Sequence, residues 1–330
     1  MFPSTPQHSM QVIANSVLQL SDFYIKYPDR ETPWNETFCQ IAYRNYFLPL
    51  NQLRCAKVIE RGQVVNFFRD LTHFVDWGSG PGTASFALAA NDQLKSQIRK
   101  QFLIDISSGP HRTFADLHKD LINPELSTRL EFEPFLDQKN RTCLVFSYSM
   151  TEIAKLPTGW DQAEALMILE PSTRQDSRKL LQLRQKLIEK GYSIWAPCTH
   201  HLDCPLLTKS ETDWCHDRFV VDAPEWFWKV DQLLPMKNKT ITTSYLLARK
   251  KPAPVLPKNA ARLTGDSREE KGKTRQMVCR NDQREFLTWM HKQIEPQTFP
   301  RGEMIEINEN NELKSNEIRV RNPCKILSKI

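Results

Sequence analysis

The segment Phe74-Val75-Asp76-Trp77-Gly78-Ser79-Gly80-Pro81-Gly82-Thr83 runs from an apolar strand through an acid into a glycine-rich turn. A helical stretch follows at once, Ala84, Phe86, Ala87, Leu88 and Ala89. Strand, glycine turn and helix in that order form a cradle for a phosphate or a nucleoside, because glycine lets the backbone approach a ligand where a Cβ would clash. The spacing excludes two familiar cradles. A dinucleotide fingerprint wants Gly-x-Gly-x-x-Gly, whereas the glycines here fall at Gly78, Gly80 and Gly82, every second residue. A phosphate-binding P-loop needs Gly-Lys-Ser/Thr, and this turn has no Lys.

On the C-terminal side, short apolar runs alternate with amphipathic ones, which predicts strands and helices around a largely parallel sheet. The runs are Phe74 to Asp76, Phe102 to Asp105, Leu130 to Phe135, Cys143 to Tyr148, Ala165 to Glu170, Tyr192 to Ala196 and Thr240 to Ala248, a seven-strand count. Leu180, Leu183, Leu187 and Ile188 recur at helical spacing in Ser177 to Lys190, where Gly191 stops the helix. On the N-terminal side, Ile41, Phe47, Leu48, Leu53 and Val58 predict a helical cap over residues 1–70, interrupted by Pro28, Pro33 and Pro49. Residues 71–250 form the predicted cofactor domain, with an aperiodic Cys-rich insertion at 197–239. Residues 251–330 read as a basic linker, stiffened by Pro252, Pro254 and Pro257, and a small β-rich domain.

Asp-x-Gly-x-Gly-x-Gly-Thr resembles motif I of the class I S-adenosylmethionine-dependent methyltransferases. The resemblance implies an α/β fold with a Rossmann-like seven-stranded sheet, a turn that packs against the methionine part of S-adenosylmethionine, and an acid ending the second strand that binds the ribose. Asp105, in Phe-Leu-Ile-Asp-Ile-Ser, has that position. The implied cofactor set is Asp76, Gly78, Ser79, Gly80, Gly82, Thr83, Asp105, Ile106 and Ser147. Amino-directed members carry an Asn/Asp-Pro-Pro-Tyr/Phe turn after the fourth strand, but here it reads Ser147-Tyr148-Ser149-Met150. Cytosine-C5 enzymes place a Pro-Cys nucleophile after that strand, whereas Pro197-Cys198 follows the sixth and Pro323-Cys324 lies in the tail. No catalytic base stands out.

Cys198, Cys204 and Cys215, three of the eight cysteines, fall in one short window, in Pro-Cys198-Thr-His200-His201-Leu-Asp-Cys204-Pro205 and Asp213-Trp214-Cys215-His216. A buried lone Cys is ordinarily a small apolar residue, but this concentration points to soft-metal binding. Closing a tetrahedral zinc or a cubane iron–sulfur cluster takes four thiolates, and Cys279 ends an alternating segment that could return to the other three. His200, His201 and His216 are alternative ligands. The cysteine pattern resembles the mitochondrial small-ribosomal-subunit methyltransferase-like family, typified by methyltransferase-like protein seventeen and its bacterial relatives. The likeness runs from Phe74 to about Cys279. It implies a [4Fe–4S] cluster on Cys198, Cys204, Cys215 and Cys279, with Zn as the other candidate, and a partner in the assembling small subunit or its rRNA. Two departures stand out: the family's Pro-Cys-Pro-His is Pro-Cys198-Thr-His200 here, and its Trp-Cys-His-Phe is Trp214-Cys215-His216-Asp217.

The chain of 330 residues is 40% hydrophobic and 25% charged, the composition of a folded domain rather than a disordered or fibrous chain. It has no apolar run of membrane-spanning length, and Met1 to Leu20 has neither signal-peptide nor transit-peptide character, so no membrane partner and a cytosolic location are expected. Reduced thiols are expected there. Nothing demands an oligomer, so a monomer is expected. The net charge of +6 is a mild argument for an anionic partner. Arg249 to Arg280 concentrates ten Lys or Arg against Asp266, Glu269 and Glu270, which makes it a candidate for phosphate contact. Two functions are compatible with these features: methyl transfer to small-subunit rRNA, or an inactive assembly factor in which cofactor and cluster are structural.

Overall fold

The computed structural model describes residues 2, 5–27, 30–128, 141–150 and 156–327. The chain opens with helix α1 (Met10–Lys26), capped by the Ser9 hydroxyl, which accepts from the Val12 amide, and buries Ile13, Val17 and Leu20. α2 (Thr37–Ala42) then passes through a π-helical turn, Tyr43–Phe47, directly into α3 (Leu48–Val64). The break expected at Pro49 does not occur. Proline sits in the first turn after the wide π turn, where a missing N–H costs least. The far end of the cap does not form a core of its own: Cys55, Val58 and Ile59 of α3 pack in one cluster with Phe74, Ala84, Leu88, Val145 and Met167.

The first sheet is built from β1 (His73–Trp77), α4 (Thr83–Ala89), α5 (Asp92–Gln97), β2 (Lys100–Ile104), α6 (Gly109–Thr113), β3 (Pro124–Ser127), β4 (Thr142–Ser147) and β5 (Ala165–Glu170). There follow α7 (Arg174–Glu189), β6 (Ser193–Ala196), α8 (Pro205–Thr208), β7 (Asp217–Val220), α9 (Glu225–Leu233) and β8 (Thr240–Arg249). The strand order is β3-β2-β1-β4-β5-β8-β6, with β7 also paired to β8. β1 to β5 run parallel, and β8 runs antiparallel to both β5 and β6. Successive residues point to opposite faces: Phe74, Val145 and Met167 join the α3–α4 core, and Val75, Leu144 and Leu166 join Leu180 and Leu187 of α7. Both faces are covered, which is why these strands are continuous apolar runs. This is the Rossmann-like class I methyltransferase fold. The order reverses between β1 and β4, so the ligand crevice lies beyond the carboxyl ends of those two strands.

Several expectations are refined. The third strand is Pro124–Ser127, while the run Leu130 to Phe135 lies outside the described residues. α7 starts at Arg174, three residues before the expected Ser177, because the Thr173 hydroxyl accepts from the Asp176 amide and caps it. The insertion 197–239 holds α8, β7 and α9, and among the described residues β7 pairs with β8 off the path of the seven other strands.

The C-terminal part is a second eight-stranded sheet: β9 (Ala260–Leu263), β10 (Arg268–Glu270), β11 (Lys273–Cys279), β12 (Glu285–Met290), β13 (Met304–Glu306), β14 (Glu312–Lys314), β15 (Glu317–Arg319) and β16 (Lys325–Ile326). The basic stretch is therefore a linker only up to β9. Two of its cations point inward. Arg249 is 1% exposed and donates to Glu164 Oε1 at 2.8 and 2.9 Å, and Arg262 is buried against Asp217. A buried charge needs its partner, so neither reaches phosphate. Among the described residues no helix is long and apolar enough to cross a membrane.

Candidate functional site

The crevice begins where β1 ends. Gly78, Gly80 and Gly82 all have positive φ, at 68°, 52° and 98°. The turn is pinned on three sides. The Gly78 and Ser79 amides donate to Ile104 O at 2.8 and 3.0 Å, and Gly82 N donates to Ser79 O. The Gly80 amide donates to Asp105 Oδ2 at 2.8 Å, while Asp105 Oδ1 accepts from Ser107 N. Thr83 opens α4. Thus the turn from Gly78 to Gly82 is held against Ile104 and Asp105, Asp76 bonds Ser85 of α4 beneath it, Thr83 opens that helix, and Ser147 ends the neighbouring β4. Ile106 is 75% exposed, an apolar surface at the rim beside the Asp105 carboxylate.

Sequence reading missed three supports of this turn. The His111 Nε2 lies 3.0 Å from Ser79 Oγ, and the His118 Nε2–H donates to Pro81 O at 3.3 Å. Burial lowers the pKa of both imidazoles, so both are neutral struts. The Trp34 indole lies where side chains on Gly80 and Gly109 would point, at 3.9 and 3.2 Å. Their distance in sequence from the glycine turn left no local signal.

Asp76 is fully enclosed. Ser85 donates to its Oδ2 from both amide and hydroxyl, while Oδ1 is buried without a hydrogen-bond partner. Burial, with a smaller contribution from Asp105, pushes its pKa up to about 7. A carboxyl with a raised folded pKa contributes stability that is fully present below the unfolded value near 4 and lost as pH rises through about 7. The ligand-free protein is therefore expected to lose stability between pH 4 and 8, and Asp76→Asn should flatten that slope in urea unfolding. An unchanged slope would mean that Asp76 ionises freely.

At the end of β4 the side chains are turned inward. Ser147 Oγ is 3.3 Å from Cys55 Sγ, the Tyr148 hydroxyl is 3.1 Å from Thr243 Oγ1, and Ser149 Oγ donates to Trp77 O at 2.7 Å. The Met150 amide donates to Glu170 Oε1. Tyr148 adopts φ +60°, so this turn is held by its own contacts.

The eight cysteines divide by environment. Cys39, Cys55, Cys143 and Cys324 are buried, while Cys198, Cys204, Cys215 and Cys279 are half-buried. Burial pushes the Cys279 thiol up, and the charges of Cys198, Cys204 and Cys215 add to that push, so the four are electrostatic neighbours. Cys204 is pushed up to about 12 by burial and then by Cys198 and Cys215. His200 Nε2 lies 3.4 Å from Cys279 Sγ, whereas His201 Nε2 accepts from the Ile194 amide. Among the described residues no three His, Cys, Asp or Glu side chains form a group that could hold a metal ion.

Two arginines that sequence reading did not single out face this quartet. Arg184 is 1% exposed, donates from Nε to Cys198 Sγ at 3.2 Å, and has no carboxylate partner among the described residues. Its Nη1 is buried without a partner, as is Nε of Arg262, whose guanidinium also bonds Cys215. With the thiols protonated, Arg184 lacks a counter-charge; with thiolates it has one. The four thiols are thus electrostatic neighbours of two buried arginines without being gathered, among the described residues, into a metal-holding group. The unpartnered Asp76 Oδ1 and the glycine cradle fit a ligand carrying a nucleoside and a cation.

The model of one protein family, described as "Mitochondrial small ribosomal subunit Rsm22", matches residues 55–294. That span covers the glycine turn and all four half-buried cysteines. The chain belongs to the Rsm22 family. The match agrees with the resemblance carried by the cysteine pattern. No curated protein matches the chain. Among solved structures, the Rsm22-family chain is similar to an O-methyltransferase family protein from Burkholderia thailandensis, with 12% identity, TM-score 0.39, and 76% of this chain and 75% of that one covered. It is also similar to precorrin-6y C5,15-methyltransferase from Geobacter metallireducens, at 14% identity, TM-score 0.35, covering 58% of this chain and 88% of that one. An rRNA methylase from Streptococcus thermophilus has 12% identity and TM-score 0.31, covering 58% of this chain and 94% of that one. These likenesses are distant.

Proposed function

We propose that this protein is an S-adenosylmethionine-dependent methyltransferase-like factor that acts, as a monomer, on or beside small-subunit rRNA, with a [4Fe–4S] cluster on Cys198, Cys204, Cys215 and Cys279. The observation that carries the reading is that one chain joins a glycine crevice at the β1/β4 reversal to a half-buried thiol quartet faced by buried arginines. The small-subunit partner follows from the family's description.

In this reading Asp105 accepts the ribose hydroxyls on lone pairs left free by its two amide bonds, and Ile106 covers one face of the adenine. The cradle of Gly78, Ser79, Gly80, Gly82 and Thr83, with Ser147 beside it, holds the rest. Asp76 faces the cationic end. Bound S-adenosylmethionine supplies an electrophilic methyl group. The acceptor face is the turn Ser147 to Met150.

The inward-turned side chains of that same turn favour the second reading, an assembly factor without turnover. Complementing a deletion strain with Gly80→Arg separates the two. If one rRNA methyl mark disappears while subunits mature normally, the protein is an enzyme. If no mark changes and immature small subunits accumulate, it is an assembly factor. Iron, sulfide and zinc content of an anaerobic preparation tests the cluster: colourless protein with stoichiometric zinc would overturn iron–sulfur.

A further inference from the structure

A cleft of about 490 Å³ opens between the cysteine-rich insertion and the second sheet. That volume falls in the range of small-ligand sites, roughly 300–1,000 Å³. Arg268, Arg275, Arg284 and Arg301 line it, with Trp214 and Phe286. Arg268 on β10 stands directly across the antiparallel pair from Arg275 on β11. Like charges in that position are destabilising, and Glu270 and Glu317, 3.5 and 3.3 Å from Arg275, offset part of that repulsion. The guanidinium carbons of Arg284 and Arg275 lie 4.8 and 4.3 Å from the Phe286 ring centroid.

The acids of the cleft are already engaged. Asp213 accepts from Arg284 at 2.6 Å, Asp266 from Arg218 at 2.8 Å, and Glu270 lies 3.5 Å from Arg275. Arg301 keeps a buried Nε without a hydrogen-bond partner. Trp214 is a fixed plate: its indole N–H donates to Ser172 O at 2.8 Å, and Arg301 donates to its carbonyl at 2.8 Å.

We propose that this cleft binds one nucleotide of an RNA strand, with its phosphate on Arg268, Arg275 and Arg301 and its base against Trp214. Guanidinium forks match phosphate oxygens, and a flat indole matches a base face. An acidic peptide would use the cations but leave the indole idle. The proposal rests on the RNA-partner reading above and adds to it the place of contact, beside Cys215. A free nucleotide shares the chemistry.

The test is anisotropy of a labelled single-stranded RNA oligonucleotide on the anaerobically purified full chain, between 50 and 200 mM salt. Arg268 is exposed, so Arg268→Glu should fold and keep its metal content. Its RNA affinity is expected to fall about tenfold or more, with a salt slope shallower by about one. If this variant, with unchanged melting and metal content, binds RNA as tightly as the parent, the cleft is not the site although RNA binding stands. If the parent binds no RNA, the partner reading itself fails. Displacement of the oligonucleotide by equimolar AMP would make the ligand a free nucleotide, and equal displacement by poly-glutamate would overturn nucleotide recognition.

Discussion

Cys279→Ser is expected to abolish metal loading and lower the melting temperature on the order of 10 °C, the largest effect of any single substitution considered. Four thiolates close such a site, and three leave it open. Removing Cys279 also leaves Arg184 short of one of the thiolates that raise its pKa. The neighbouring control is Cys324→Ser. Cys324 is 4% exposed and packs with Val278, Trp289 and Ile305, outside the quartet. It should cost about 1–2 kcal/mol and leave iron untouched. Metal analysis beside calorimetry of both variants checks the pair. Equal iron in the two would dismiss Cys279 as a ligand.

The glycine turn yields the second large effect. An alanine Cβ at Gly82 would lie 2.7 Å from Leu103 Cδ2 and one at Gly78 would lie 2.5 Å from Ser149 Cβ, both at positive φ. Leu103 is fully buried and Ser149 is tied to Trp77, so neither neighbour gives way easily. Strained backbone at about 1–2 kcal/mol and overpacking at about 1–3 kcal/mol combine to roughly 2–5 kcal/mol for Gly82→Ala or Gly78→Ala. Gly80→Ala meets nothing closer than the Trp34 ring at 3.9 Å and should cost only about 1 kcal/mol. Urea midpoints at constant m distinguish these. Similar midpoints for all three would refute the steric account.

How much of this was legible in the sequence depended on where each residue's partner lies. β1, β4 and β5, buried on both faces, announce themselves as nearly unbroken apolar runs, and β2, β6 and β8 as shorter apolar stretches. β3 is an edge strand whose first three residues, Pro124, Glu125 and Leu126, are exposed, so no such run marks it. The turn from Asp76 to Thr83 is legible because its chemistry is local. Arg184, Arg249 and Arg262 read as surface cations, and only the fold reveals that Glu164 and Asp217 draw two of them inward. Trp34, His111 and His118 brace the turn from other segments, which no periodicity records.

The sorting of the cysteines has a kinetic side. Cys198, Cys204 and Cys215 belong to the insertion of the first sheet, and Cys279 ends β11 of the second. The last two lie about sixty residues apart in sequence, a non-local contact that is slow to form because the loop must close first. During synthesis the first three thiols and Arg184 emerge well before β11 exists, so a group held by all four arrives late, after the second sheet has docked. A chain truncated ahead of β11 lacks Cys279 as well as most of the second sheet, so under the proposed cluster completed translation would be a condition for loading.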